Sequence, residues 1–199
     1  EMLSGISHDL RTPLTRIKLQ LAMINDKNLS KKLSSDVDDM EKMLNEYLQF
    51  ASTGAKDKTE TFDISELILK LINNYSNPNI IQNFKEEIYF NGRKNLIARC
   101  INNLIENSLK YAKKVEISME KQKDNLMIMV SDDGPGVPEK EHENIIKPFY
   151  KIDKSRSESK SSVGLGLSIA SDICRSHGGD IKFSKSKFGG LEVSISLPF

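Results

Sequence analysis

The chain has 199 residues, with 29 basic and 28 acidic side chains and a net charge of +1. That balance excludes a bulk field steering it to nucleic acid or to a membrane surface, and no apolar run approaches the ~18 residues of a membrane span. The length allows one large or two small domains with cores of their own. No signal peptide is visible. The first residues already lie inside a helical pattern with no cap ahead of them, as expected of a piece of a longer protein.

Apolar residues at Leu3, Ile6, Leu10, Leu14, Ile17, Leu21 and Ile24 recur at the three-four spacing of one helical stripe. At ~100° per residue, His8 falls on the opposite face, with Asp9 beside it and Thr12 one turn on. Pro13 cannot donate to the carbonyl of Asp9 and loosens the helix where His8 must be approached. An exposed imidazole with a neighbouring carboxylate is a ready nucleophile, since the acid can orient the ring and take its proton. Standing alone, such a histidine would ordinarily be a solvated side chain and nothing more.

Asn25-Asp26-Lys27-Asn28 is turn chemistry. A second stripe, Leu33, Val37, Met40, Leu44, Tyr47, Leu48 and Ala51, ends toward Gly54. Residues 1–54 therefore read as an α-helical hairpin. Two helices cannot bury both apolar faces alone, and a second copy would close them into a four-helix bundle. Packing on the rest of the same chain is the alternative. Residues 53–61 hold a single apolar side chain, so 55–61 read as a linker ahead of a domain over 62–199.

Asp63 and Glu66 form a capping pair ahead of a helix running to about Tyr75, which Asn77-Pro78-Asn79 ends. Short apolar runs at 80–84 and 87–90 read as a strand pair. A long helix covers about 93–112, and 115–120 with 126–131 reads as a hairpin. The loop-rich stretch 134–163 holds one short helix near 139–146, followed by a helix over 164–177 and strands at 181–184 and 191–197. Helices interleaved with antiparallel hairpins predict an α+β sandwich, with helices on one face of a mixed sheet. Cys100 and Cys174 have no partner at metal-ligand spacing and read as reduced, buried thiols. His142 and His177 read as structural, the second near a helix end where a cation is favoured.

The long helix has two faces. Ile97, Ile101, Leu104, Ile105, Ser108 and Ala112 are fit to cover a sheet, while Asn103, Asn107, Lys110 and Tyr111 share another side. Amide oxygens suit Mg²⁺, a cation suits phosphate, and an aromatic ring accepts a purine. Asp132-Asp133-Gly134-Pro135-Gly136 follows an apolar strand; its glycines admit a flat ligand, and a strand-end Asp can accept from an exocyclic amine. The serine-rich, basic loop after Lys147-Pro148-Phe149-Tyr150-Lys151 suits a mobile flap over phosphates. Gly164-Leu165-Gly166-Leu167-Ser168 then opens a helix whose unpaired N–H groups favour an anion. Each piece alone is common in ordinary loops and helices.

Taken in order, these pieces resemble the boxes of sensor histidine kinases. SHDLRTPLTR at 7–16 is similar to the phosphoacceptor box, and NLIENSLKYA at 103–112, DDGPG at 132–136, KPFYK at 147–151 and GLGLS at 164–168 are similar to the nucleotide boxes. Gly189-Gly190 resembles a final glycine box, and SHDLRTPLTRIKL is most similar to the EnvZ-type osmosensor kinases. The resemblance implies a dimeric helical hairpin followed by an α+β sandwich of the GHKL ATPase type, using ATP and Mg²⁺. By motif position, His8 would receive the γ-phosphoryl group, Asp9 would assist proton removal, and Thr12 would place water for dephosphorylating a partner regulator. Asn107 would bind Mg²⁺, with Asn103 near the phosphates, Lys110 on phosphate and Tyr111 lining adenine. Asp132 would accept from adenine N6, Gly134 and Gly136 would shape that pocket, Lys151 and Arg156 match basic lid positions, and Gly164, Leu165 and Gly166 would flank the phosphates.

The family often reads Gly-Thr-Gly-Leu-Gly-Leu where this chain has Ser162-Val163-Gly164-Leu165-Gly166-Leu167, a departure that would stiffen the lid or remove a phosphate contact. The expected partners are a second copy and an OmpR-like response regulator, and the expected location is cytoplasmic, with the parent protein anchored in the inner membrane. The rival readings are a GHKL ATPase switch that turns over ATP without a phosphoprotein, and a degenerate dimeric scaffold.

Overall fold

The computed structural model describes residues 2–53, 57–75, 77–152 and 164–199, with side chains described for 12–41, 44 and the residues from 57 onward within those ranges. Two compact units result, divided between Lys56 and Asp57.

In the first unit, α1 (Met2–Ala22) runs through Pro13 and α2 (Lys27–Thr53) returns against it. The turn is built by Asp26, whose Oδ1 accepts from Asn28 N (3.0 Å) and Leu29 N (3.1 Å) and so satisfies two first-turn donors of α2. Leu14, Leu21 and Val37 are buried, with Ile24, Leu33 and Leu44 packed on them. Lys18 Nζ reaches across to Asp38 Oδ1 at 2.7 Å and Glu41 Oε2 at 2.5 Å, an exposed ion pair between the two helices. Other stripe residues stay uncovered: Ile17 is 38% exposed and Met40 52%.

The second unit joins a five-stranded mixed sheet to helices. β1 (Glu60–Asp63), α3 (Ile64–Asn74), β2 (Ile80–Asn83), β3 (Tyr89–Gly92), α4 (Lys94–Tyr111), β4 (Val115–Gln122), β5 (Asn125–Asp132), α5 (Gly166–Ser176), β6 (Asp180–Lys185) and β7 (Leu191–Pro198) follow in order. The sheet runs β2-β4-β5-β7-β6, with β2 parallel to β4 and the other pairs antiparallel. Alternation along β4, β5 and β7 puts Ile117, Ile128, Val130, Ile195 and Leu197 in the core. Ile97, Ile101, Leu104 and Ile105 of α4 are likewise fully buried, and α5 packs beside α4. Each such side chain contributes roughly 1.5–3 kcal/mol by leaving water. Among the described residues, no helix is long and apolar enough to cross a membrane.

Four local expectations change. The runs at 80–84 and 87–90 do not pair with each other: β2 joins β4 (Ile80 opposite Val115), while β3 joins β1 (Phe90 opposite Phe62). Burial decides this, because Phe90 meets Phe62 edge-on at 6.2 Å between centroids. Glu60 and Thr61, read as linker, open β1 and pair with Gly92 and Asn91; such backbone bonds need no apolar side chain. The Asp63 cap forms, accepting from Ser65 N at 2.8 Å, yet Glu66 turns to Lys70 Nζ at 2.7 Å instead of closing a capping pair. Residues 139–141 form one short 3₁₀ turn instead of a helix through 146.

Candidate functional site

The end of β5 delivers Asp132 into a position that several elements enclose. Only 4% of it is exposed. Its Oδ1 accepts from Gly134 N (2.9 Å) and Leu191 N (3.0 Å), and its Oδ2 accepts from Ser108 Oγ (3.0 Å) on α4. The two oxygens of a carboxylate offer about four lone-pair directions, so among the described residues one acceptor direction is left on Oδ2. Gly190 N donates to the Asp132 carbonyl at 3.2 Å, which ties the β6–β7 turn to the same point.

Asp133 works on the neighbouring backbone. Its Oδ1 accepts from Lys113 N and Lys114 N, both at 2.8 Å, and these bonds hold its carboxyl below the usual range. The segment leaving α4 is thereby fixed against the β5 end, and the Tyr111 carbonyl lies 3.3 Å from where a Gly134 Cβ would sit.

On α4, Asn103, Asn107, Lys110 and Tyr111 share one face, as the four-residue spacing requires. Lys110 Nζ sits 5.0 Å from the Tyr111 ring centroid, a cation–π distance, and Tyr111 is largely exposed. Asn103 lies beside Gly166, the first residue of α5: a Cβ on Gly166 would meet Asn103 Cβ at 3.9 Å. The Asn103 Nδ2 donor is buried and has no hydrogen-bond partner among the described residues. Among the described residues, no side chain caps α5 either. An unspent amide donor next to the uncapped N-terminus of an eleven-residue helix is a place for phosphate oxygens.

The glycines fit this picture. Gly164 adopts φ +79° and accepts from Phe149 N at 2.9 Å; a Cβ there would crowd the Phe149 carbonyl carbon at 3.1 Å. Gly136, at φ +70°, faces the Gly190 carbonyl. Leu165 is buried, and Lys151 is exposed just after Tyr150, whose hydroxyl donates to Glu141 Oε2 at 2.6 Å.

Thus the structure gathers Asp132, Gly134, Gly136 and Tyr111 at one end of α4, and Asn103 with Gly166 at the α5 terminus. His8 and Asp9 fall within α1, and their side chains lie outside the described residues. Thr12 is exposed on α1. Arg156, Ser162 and Val163 lie outside the described residues. Reading the sequence missed what Ser108 and the Leu191 amide do; the available signal was a hydroxyl on an otherwise apolar stripe.

His177 is structural, as expected, but not through a charge on the helix end. Its Nδ1 lies 2.8 Å from the Ile173 carbonyl and its Nε2 accepts from Arg93 N at 3.2 Å, so one nitrogen must be unprotonated. Burial first, and the Arg93 charge with it, push its pKa below the ordinary imidazole value, against the Ile173 bond. It is a neutral bracket between α5 and α4, not a cation on a helix dipole. Cys100 and Cys174 are free and buried as expected, with Sγ atoms 3.8 Å apart.

Residues 92–199 match the family model described as histidine kinase-, DNA gyrase B-, and HSP90-like ATPase, and residues 1–56 match the His Kinase A (phospho-acceptor) domain. The chain belongs to the sensor histidine kinases. The sensor histidine kinase GtrS of Pseudomonas aeruginosa is 34% identical over 202 residues, spanning all of this chain and 41% of that protein. The sensor histidine kinase CpxA of Escherichia coli is 31% identical over 211 residues, 99% of this chain and 46% of the relative. The chain thus spans less than half the length of these relatives. Its fold is shared with full-length ShkA in complex with AMPPNP (TM-score 0.72, 21% identity, all of this chain and 46% of that one). It is also shared with the Acinetobacter baumannii histidine kinase AdeS (TM-score 0.64, 20% identity, 96% and 97%). As a histidine kinase core, the chain carries an ATP-binding domain behind its phosphoacceptor hairpin.

Proposed function

We propose that this core transfers the γ-phosphoryl group of ATP to His8 and passes it on to an aspartate of a response regulator. The observation that carries the reading is the unpartnered Asn103 donor at the uncapped start of α5, on the same helix face as Asn107. Phosphoryl transfer needs mainly positioning and charge neutralisation, and this face supplies amide donors and the Lys110 cation. Asn107 would hold Mg²⁺ through its amide oxygen; the metal would neutralise charge on the transferring phosphates. Asn103, Lys110 and the α5 terminus would grip phosphate oxygens, with Gly164, Leu165 and Gly166 letting the backbone approach them. Tyr111, Gly134 and Gly136 would line the base, which Asp132 would recognise. Lys151 and Arg156 would close over the phosphates.

At the reacting centre, a ring nitrogen of His8 would form the N–P bond as the γ-phosphate's bond to the β-phosphate oxygen breaks and ADP leaves. Asp9 would take or orient the ring proton. Thr12, one turn along, would place the water that hydrolyses the regulator's phosphoaspartate. Residues 1–54 would dimerise: Ile17 and Met40, one from each stripe, remain exposed although the hairpin is closed, and a second copy would cover them. An OmpR-like regulator is the proposed partner, from the likeness of residues 7–19 to EnvZ-type kinases. A cytoplasmic location goes with that partner, and the catalytic domain would run over 62–199, with Glu60 and Thr61 added through β1.

Labelled ATP with Mg²⁺, applied to the wild type and His8→Ala, tests the reading. Label that requires His8, is lost in acid and survives base is the expected product. Phosphate released to water with no phosphoprotein would point instead to an ATPase switch, and failure to bind ATP to a scaffold.

A further inference from the structure

Ser108 is 1% exposed and sits on the face of α4 that carries Leu104 and Ile105, both fully buried. Packing asks for no hydroxyl there, and burying one unbonded costs roughly 1–3 kcal/mol. The hydroxyl is bonded to Asp132 Oδ2 at 3.0 Å. Because Gly134 N and Leu191 N both address Oδ1, Ser108 is the group that fixes Oδ2. Its proton is spent on the carboxylate, so neither atom offers a hydrogen to a ligand. The pair presents acceptors alone.

We propose that Ser108 is a positioning residue for base discrimination: by holding Asp132 Oδ2 it aims one remaining acceptor into the site, which admits a 6-aminopurine nucleotide and rejects a 6-oxopurine one. An exocyclic amine supplies the N–H this acceptor needs. A 6-oxo group would set its carbonyl oxygen against the carboxylate, with both acceptors left unpaired. The inference rests on Asp132 being the base-recognising group proposed above.

Titration calorimetry with ATP and with inosine triphosphate, on the full chain with Mg²⁺, tests it. Ser108→Ala is expected to weaken ATP about tenfold, as loss of a bond to a charged group implies, and to leave inosine triphosphate within about twofold. The ATP preference then falls about tenfold, and Ser108→Cys, which keeps a weak donor, lies between. Equal weakening of both nucleotides, or an unchanged preference, overturns the proposal and leaves Ser108 a packing residue. If Ser108→Ala does not fold, the preference of Ser108→Cys decides. Asp132→Asn separates the two levels: unchanged ATP affinity in that variant would remove the reading of Asp132 itself, whatever Ser108 does.

Discussion

A Cβ on Gly190 would overlap Asp132 Oδ1 and lie 2.5 Å from both the Asp132 carbonyl oxygen and Gly134 N. The glycine is therefore what lets the β6–β7 turn close on the carboxylate. Two of those three atoms are backbone and cannot swing away. Gly190→Ala is expected to destabilise the chain by about 1–3 kcal/mol through overpacking and to weaken ATP binding at least tenfold, about 1.4 kcal/mol. Thermal denaturation and ATP titration of the same sample check both. Wild-type affinity would show that Asp132 tolerates displacement.

Thr12 lies one turn beyond His8 on α1 and is exposed. Thr12→Ala should slow dephosphorylation of the phosphorylated regulator far more than autophosphorylation of the kinase. The two rates are read separately, with pre-phosphorylated regulator for the first and labelled ATP for the second. Equal losses would mean that Thr12 serves the fold of the hairpin.

The His177 ring is held neutral, accepting from Arg93 N and facing the Ile173 carbonyl. Burial disfavours the charged ring, and a second ring proton would also point at the Arg93 N–H, so the folded pKa lies below the unfolded value of about 6.5. Unfolded chain then binds more protons than folded chain in that window. The stability from this ring is complete above about pH 6.5 and is lost as the pH falls through the lowered folded value. The melting temperature of the wild type should drop more steeply from pH 7 to 5 than that of His177→Gln. Parallel slopes would remove His177 as the cause.

Leu104 is fully buried on α4 between two residues of the candidate site, Asn103 and, one turn on, Ser108. Leu104→Ala should cost about 2–5 kcal/mol, measured by urea denaturation. A loss below 1 kcal/mol would mean that the helix settles onto the sheet, and ATP affinity should then change with it.

Much of this protein was legible before folding. The two helices within residues 2–53, the β4–β5 hairpin, the faces of α4 and the presence of α5 follow from periods of 3.6 and 2 and from turn residues, all carried by near neighbours in sequence. The order of the boxes from His8 to Gly166 carried the resemblance to the sensor histidine kinases, the family to which the chain belongs. Asn103 and Asn107 were placed on one face by spacing alone, and the structure keeps them there.

Strand partners were not legible. Ile80–Asn83 and Tyr89–Gly92 are both short and apolar, and nothing local tells β2 to join β4 or β3 to join β1. Those pairings depend on which distant side chains, Phe62 with Phe90 above all, leave water together. The same holds at the site. Sequence determined that an acid would stand at 132, but its three holders come from positions 108, 134 and 191, which only the closed sheet and α4 bring within hydrogen-bond reach. It likewise determined a histidine at the end of α5, while burial and the Arg93 amide, 84 residues away, decided how that ring is held. Local spacing sets which groups a segment offers, and long-range burial sets what each group meets.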